Sequence, residues 1–158
     1  MRFVGNIIWF MCGGLWLAIL WTLGGLLAAM TVVGLPLTRA AFEMAKLSAF
    51  PFGKDVVHIR EIDQKELSAG TALTGTIGFL VNLIWAFSFG AILFIAYILA
   101  GIFSCLTVIG IPFGLQSFKL AGLSFWPVGR RVVTKEMADE VRRRNAVKKL
   151  NAIQNSAA

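Results

Sequence analysis

His58 is the only histidine, and it stands in the charged stretch KDVVHIREID. A metal ion needs several ligands and a general base needs an orienting partner, so one histidine among charges reads as a solvated side chain. Cys12 and Cys105 are the only cysteines, and both fall in apolar runs. Each is expected to act as a small buried hydrophobe, and neither implies a disulfide. There is no Ser–His–Asp set, no Cys–His cluster and no phosphate-cradling glycine loop. Asp and Glu are absent from the apolar runs, which removes the usual parts of a proton relay. These residues predict no enzyme, no metal and no cofactor. Two chemistries remain. One is a broken helix: TVVGLPLTRAAF begins at Thr31 and TVIGIPFGLQSF at Thr107. Gly34 with Pro36, and Gly110 with Pro112, should stop a helix there, because Pro lacks an N–H and its predecessor avoids helical angles. Such a break frees carbonyls near Val32 and Val108 and aims the positive end of the restarted helix at the gap, the parts from which membrane ion paths are built. The other is positive charge: Arg130, Arg131, Arg142, Arg143, Arg144, Lys148 and Lys149 follow the last apolar run. Near an anionic leaflet each is worth about 1 kcal/mol. The same residues also serve as a flank that sets orientation, and neither reading requires nucleic acid.

The elements that carry these residues are apolar to an unusual degree. The chain is 58% hydrophobic and 15% charged, far from the soluble balance. No charge lies between Arg2 and Arg39, or between Glu66 and Lys119. A helical crossing takes roughly 20 apolar residues, so both windows predict membrane segments. The first window is too long for the core of a signal peptide and has a counterpart in mid-chain, so it is expected to stay with the protein.

That counterpart appears when the chain is laid on itself at a shift of 76 residues. Asn6 falls on Asn82, Trp9 on Trp85, Gly14 on Gly90, Trp21 on Tyr97, Thr31 on Thr107, Ser48 on Ser124, and Gly53 on Gly129. Apolar composition alone would not align Asn, Trp, Gly and Pro without a gap, so the chain is a tandem duplication. The expected organisation is a first membrane repeat over 1–57, a polar connecting loop over 58–76, a second repeat over 77–133 and a basic tail over 134–158. The fold class is all-α membrane: in each repeat an apolar helix, the Gly-x-Pro break, and a short interfacial or re-entrant helix. Arg39, Glu43 and Lys46 share one face of the first short helix, with Arg39 and Glu43 at salt-bridge spacing. KDVVHIREID and its counterpart RRVVTKE alternate enough to pair as a small juxtamembrane sheet. Thr134 is a candidate N-cap for a charged tail helix, and the final NSAA is expected to fray.

The stretches NIIWF and VVGLPLTRAAFEMAKLSAFPFG, with NLIWA and CLTVIGIPFGLQSFKLAGLSFWPVGRRVV, resemble the YccF family, the bacterial inner-membrane component domain. The resemblance runs from Arg2 to about Val133. The second repeat matches most closely, and the first departs at GLPLTR where GIPFG is expected. It implies a multi-pass, duplicated protein of the bacterial inner membrane. It implies no catalytic residues.

Cation-rich flanks favour the cytoplasm, which puts the tail inside and the middle loop inside more weakly. Each repeat would then be a hairpin, turning near Gly24-Gly25 and Ala100-Gly101, with Trp9 and Trp85 in a headgroup belt. The alternative gives each repeat one long helix and an inverted partner, with the loop, for instance Asp63, outside. Asn6, Thr22, Thr31, Asn82, Ser88, Ser104, Thr107 and Gln116 read as bonds between helices, and the small residues as close-packing sites within the chain or between copies. The expected partners are the lipid bilayer, its anionic headgroups and a second copy. The first function class is a structural or accessory membrane component that self-associates. The second is a small channel or transporter at the two Pro breaks, and the third is a lipid sensor acting through the tail.

Overall fold

The computed structural model describes residues 2–31, 34–62 and 75–157. Each repeat opens with a long apolar helix interrupted by one wide, π-type turn. In the first repeat α1 (Arg2–Trp9) passes through Phe10–Gly14 into α2 (Leu15–Ala29). After the short helix α4 (Ile59–Ile62), α5 (Thr76–Trp85) passes through Ala86–Gly90 into α6 (Ala91–Cys105). By length and composition, 2–29 and 78–105 are each apolar enough to cross a membrane.

The helix does not turn at Gly24-Gly25 or Ala100-Gly101. It runs through both and stops at the repeated phrase. Thr31 Oγ1 accepts the Gly34 N–H and Thr107 Oγ1 accepts the Gly110 N–H, each at 3.0 Å. The chain folds back so tightly that a Cβ on Gly34 would lie 2.0 Å from the Ala28 carbonyl oxygen, and one on Gly110 would lie 1.9 Å from that of Ser104. Pro36 and Pro112 then occupy the first turn of the returning helices, α3 (Leu35–Ala49) and α7 (Ile111–Ser124), where no N–H is missed. Gly24 and Gly25 serve close approach instead. A Cβ on Gly25 would meet that of Ala41 at 3.1 Å, which lets α3 lie antiparallel along α2.

The root of each hairpin is tied by matching polar side chains. Trp9 Nε1 donates to the Ser48 carbonyl at 2.6 Å, and Trp85 Nε1 to that of Ser124 at 2.9 Å. Both indoles are buried, so they form core, not a headgroup belt. The Asn6 amide holds both backbone groups of Phe52, and the Asn82 amide both groups of Val128. Gly53 and Gly129, with φ of +94° and +90°, then swing the chain into strands.

The expected strand pair is present. β1 (Lys54–His58) and β2 (Arg130–Thr134) run antiparallel with Val56 opposite Val132. These two are repeat counterparts. So are Trp21 and Tyr97, whose side chains meet at 3.0 Å. Equivalent residues touch only on an axis of symmetry, so the repeats are related by an approximate two-fold through both pairs. Trp21, Leu93, Tyr97, Ala41, Met44 and Leu47 form the centre of the core. The tail helix α8 (Lys135–Ala157) lies over the sheet, buries Ala138 and Val141 there, and breaks the symmetry. Thr134 caps it through the Met137 N–H at 3.3 Å. The helix continues through the expected frayed end to Ala157.

Other expectations are corrected. Cys12 and Cys105 are exposed and not buried: Cys12 lines a cavity with Gly110 and Phe113, and Cys105 lies against Gly114 of the returning helix. Thr22, Ser88 and Ser104 bond carbonyls of their own helices and not neighbouring ones. Val32, Val33 and the part of the connecting loop over 63–74, including Asp63, lie outside the described residues.

Candidate functional site

The charged residues converge where the sheet meets α7 and α8. Asp55 points inward from β1 and is nearly buried. Its Oδ1 receives Lys119 Nζ of α7 at 2.9 Å and the Val56 N–H at 2.8 Å, and its Oδ2 receives Arg142 Nη2 of α8 at 2.9 Å. Burial pushes the carboxyl up, but the bonds from Lys119, Val56 and Arg142 outweigh it and hold the group below the usual carboxylate range. The counterpart positions carry reversed charge. Glu43 stands where Lys119 does and Arg131 where Asp55 does. Glu43 Oε2 accepts the Val132 N–H at 3.4 Å, and its other oxygen lies 3.9 Å from Arg39 Nε, the expected i,i+4 pair. At the Lys54–Thr134 end of the sheet, next to Asp55, Arg2 pairs with Glu136 at 2.6 Å.

His58 is less solvated than its charged surroundings suggest. It is half-buried at the end of β1 opposite Arg130, and its Nδ1 accepts the Arg60 N–H at 3.2 Å. Burial, with Arg60 and Arg130 nearby, lowers its pKa against a smaller opposing pull from Glu61. Among the described residues no group of histidine, cysteine or acidic side chains has the makings of a metal site.

The basic residues are spread over several separate contacts. Arg142 is committed to Asp55 and Asp139, Arg143 to Glu140, and Arg130 and Arg131 are built into β2. Lys148 and Lys149 line a groove with Arg60, Glu61 and Asn145. Nor do the two helix breaks face a common space. Gly34 lines a cavity of about 510 Å³ with Thr31, Leu37, Trp85 and Ser88. Gly110 lines another of about 530 Å³ with Ile8, Cys12, Thr107 and Phe113. The cavities are two-fold counterparts on separate sides of the molecule. Pro36 and Pro112 act in the helix starts. Asp55 and Lys119 were not evident as a pair in the sequence. The one available signal is that Lys119 is the charge that ends the second apolar window.

A duplicated helical hairpin, with apolar outer faces and a charged two-stranded clasp at the paired roots, defines a class of membrane protein. The family description "Inner membrane component domain", YccF, matches the chain twice, over 4–54 and 80–130, at the same repeat shift. "Inner membrane protein YccF" of Escherichia coli (strain K12) and that of Shigella flexneri are each 39% identical over 92% of this chain and 97% of their own. The chain therefore belongs to the YccF family and is a bacterial inner membrane protein. No solved structure matches it.

Proposed function

We propose that the protein is a structural or accessory component of the inner membrane, not an enzyme, with its charged clasp and C-terminus in the cytoplasm. The observation that supports this is the division between its two sides. The long helices present Phe3, Met11, Trp16, Phe87, Ile95 and Phe103 outward without a charge among them, a surface suited to acyl chains. The sheet and α8, with Arg2, Arg39, Glu43 and Lys119 of the helices, carry the ion pairs, and the excess of cations in the sheet and α8 favours the cytoplasmic side and its anionic headgroups. Nucleic acid is not a partner in this reading. Copies of the chain associate through the outer apolar faces, because the small residues Gly14, Gly24, Gly25 and Gly101 are occupied within the monomer. A conducting path is not part of the reading, since the breaks open onto separate cavities. A reporter fused after Ala158 should be active only in the cytoplasm. Copies carrying donor and acceptor dyes should keep transferring energy when the reconstituted protein is diluted tenfold with lipid. Periplasmic reporter activity rejects the orientation, and loss of transfer rejects the self-association.

A further inference from the structure

The tip of each hairpin lies beside the root of the other. Gly24 is five residues from the end of α2, and a Cβ there would lie 2.7 Å from Trp85 and 2.8 Å from Phe89. Trp85 is itself bonded to Ser124, where its own repeat exits. Thr31 and Gly34 at the first tip share a cavity with Val81, Trp85 and Ser88 at the second root. The reverse contact is also made: Trp9 at the first root stacks on Phe113 near the second tip, with ring centroids 6.4 Å apart, and Thr107 and Gly110 share a cavity with Ile8 and Cys12. The two roots are joined to each other by the β1–β2 ladder. First tip, second root, first root and second tip therefore stand at one level.

A hairpin that crosses a bilayer must hold its tip about 30 Å from its root. Here a tip on the periplasmic side would place the other repeat's root there too, and the ladder forbids roots on opposite sides. Lys119 gives the same limit independently. It is eight residues from the start of α7, about 12 Å at the helical rise, yet its ammonium reaches Asp55 in the charged clasp.

We infer that the protein is monotopic: both hairpins lie within one leaflet, the long helices run close to the membrane plane, and no part of the described chain reaches the far side. Outside the area that copies of the chain share, the occupant of the apolar face is the acyl layer of that leaflet. The stripe it meets is uncharged from Phe3 to Thr38 and again from Thr76 to Phe118. The inference deepens the structural reading above and relies on it only for which leaflet is used.

The test uses the full chain with Cys12→Ser and Cys105→Ser, and single cysteines Met30→Cys and Leu106→Cys at the tips, Ile84→Cys at a root and Asn155→Cys in the tail. A membrane-impermeant maleimide applied to intact cells should label neither tip. Nitroxides at 30, 84 and 106 should report depths within about 5 Å of one another, against roughly 30 Å for a crossing hairpin. A short bismaleimide should bridge Leu27→Cys to Ile84→Cys within one chain, a pair that lines one cavity. Periplasmic labelling of either tip, a tip-to-root depth difference of about 20 Å or more, or failure of the bridge overturns the proposal. Labelling of Asn155→Cys from outside with matching depths overturns the cytoplasmic assignment alone and leaves the single-leaflet arrangement standing.

Discussion

At Asp55 one carboxylate meets cations from two different helices, and it is the side chain through which α7, β1 and α8 share a bond network. Asp55→Asn should lower stability in detergent by about 1–3 kcal/mol, the usual scale for hydrogen bonds to a charged group, read as a fall in the thermal midpoint. The pH response has two parts. Asp55 titrates lower in the native state than in the unfolded chain, so its contribution is complete above about pH 4 and is lost only as pH falls through the native value. His58 acts earlier. Its native pKa is lowered by burial and nearby arginines, so below about pH 6.5 the unfolded chain takes up a proton more readily than the native one. Stability should fall between pH 7 and pH 5, and His58→Gln should flatten that slope. An unchanged slope would show that His58 is solvated after all. Ser117 makes the opposite case. Its hydroxyl is buried with no partner among the described residues, and the counterpart position holds Ala41. Ser117→Ala should raise stability by about 1 kcal/mol.

Among the elements, the hairpin turn and the root clamp respond differently to substitution. Pro36 only starts α3, so Pro36→Ala should cost less than about 1 kcal/mol. Gly34→Ala forces a methyl into the Ala28 carbonyl and should cost about 1–3 kcal/mol, as overpacking does. Equal effects on the unfolding midpoint would mean that the proline makes the turn. The elements themselves were largely legible: the repeat, both breaks, the strand pair, the Arg39–Glu43 pair and the Thr134 cap follow from residue types at fixed spacing. The turn was not, because Gly-Gly in an apolar run reads equally as a bend or as a place where helices touch, and only packing against Ala41, Trp85 and Phe89 decides. The roles of Trp9, Trp85 and the cysteines were hidden for a related reason. In a chain that is apolar inside and out, hydrophobicity no longer separates core from surface, so the indole hydrogen bonds to Ser48 and Ser124 are what show that Trp9 and Trp85 face inward.

For the whole molecule, the duplication is legible in the residues but the way its halves meet is not. A repeat shift does not say whether counterparts lie parallel, inverted or crossed, and the charge rule reports sides, not depths. The structure makes α8 the asymmetric part that closes an otherwise two-fold assembly, which leads to a prediction about where the tail can be cut. Ala138 and Val141 are buried on the sheet, Arg142 holds Asp55, Asn145 donates to the Glu61 carbonyl at 3.1 Å, and Glu136 holds Arg2. All of these contacts precede residue 146. Beyond it Val147, Leu150 and Ile153 are exposed. A chain ending at residue 134 should lose about 3 kcal/mol or more, from the buried valine and the bond left open at Asp55 together. It should also expose the sheet and aggregate on extraction. A chain ending at residue 145 should extract and unfold within a few degrees of the full protein, about the shift expected for a change below 1 kcal/mol in a chain this size. Thermal unfolding and gel filtration of the two truncations in the same detergent provide the comparison. If the longer truncation behaves like the shorter one, α8 acts through its distal cations, and the clasp at Asp55 is not what holds the two repeats closed.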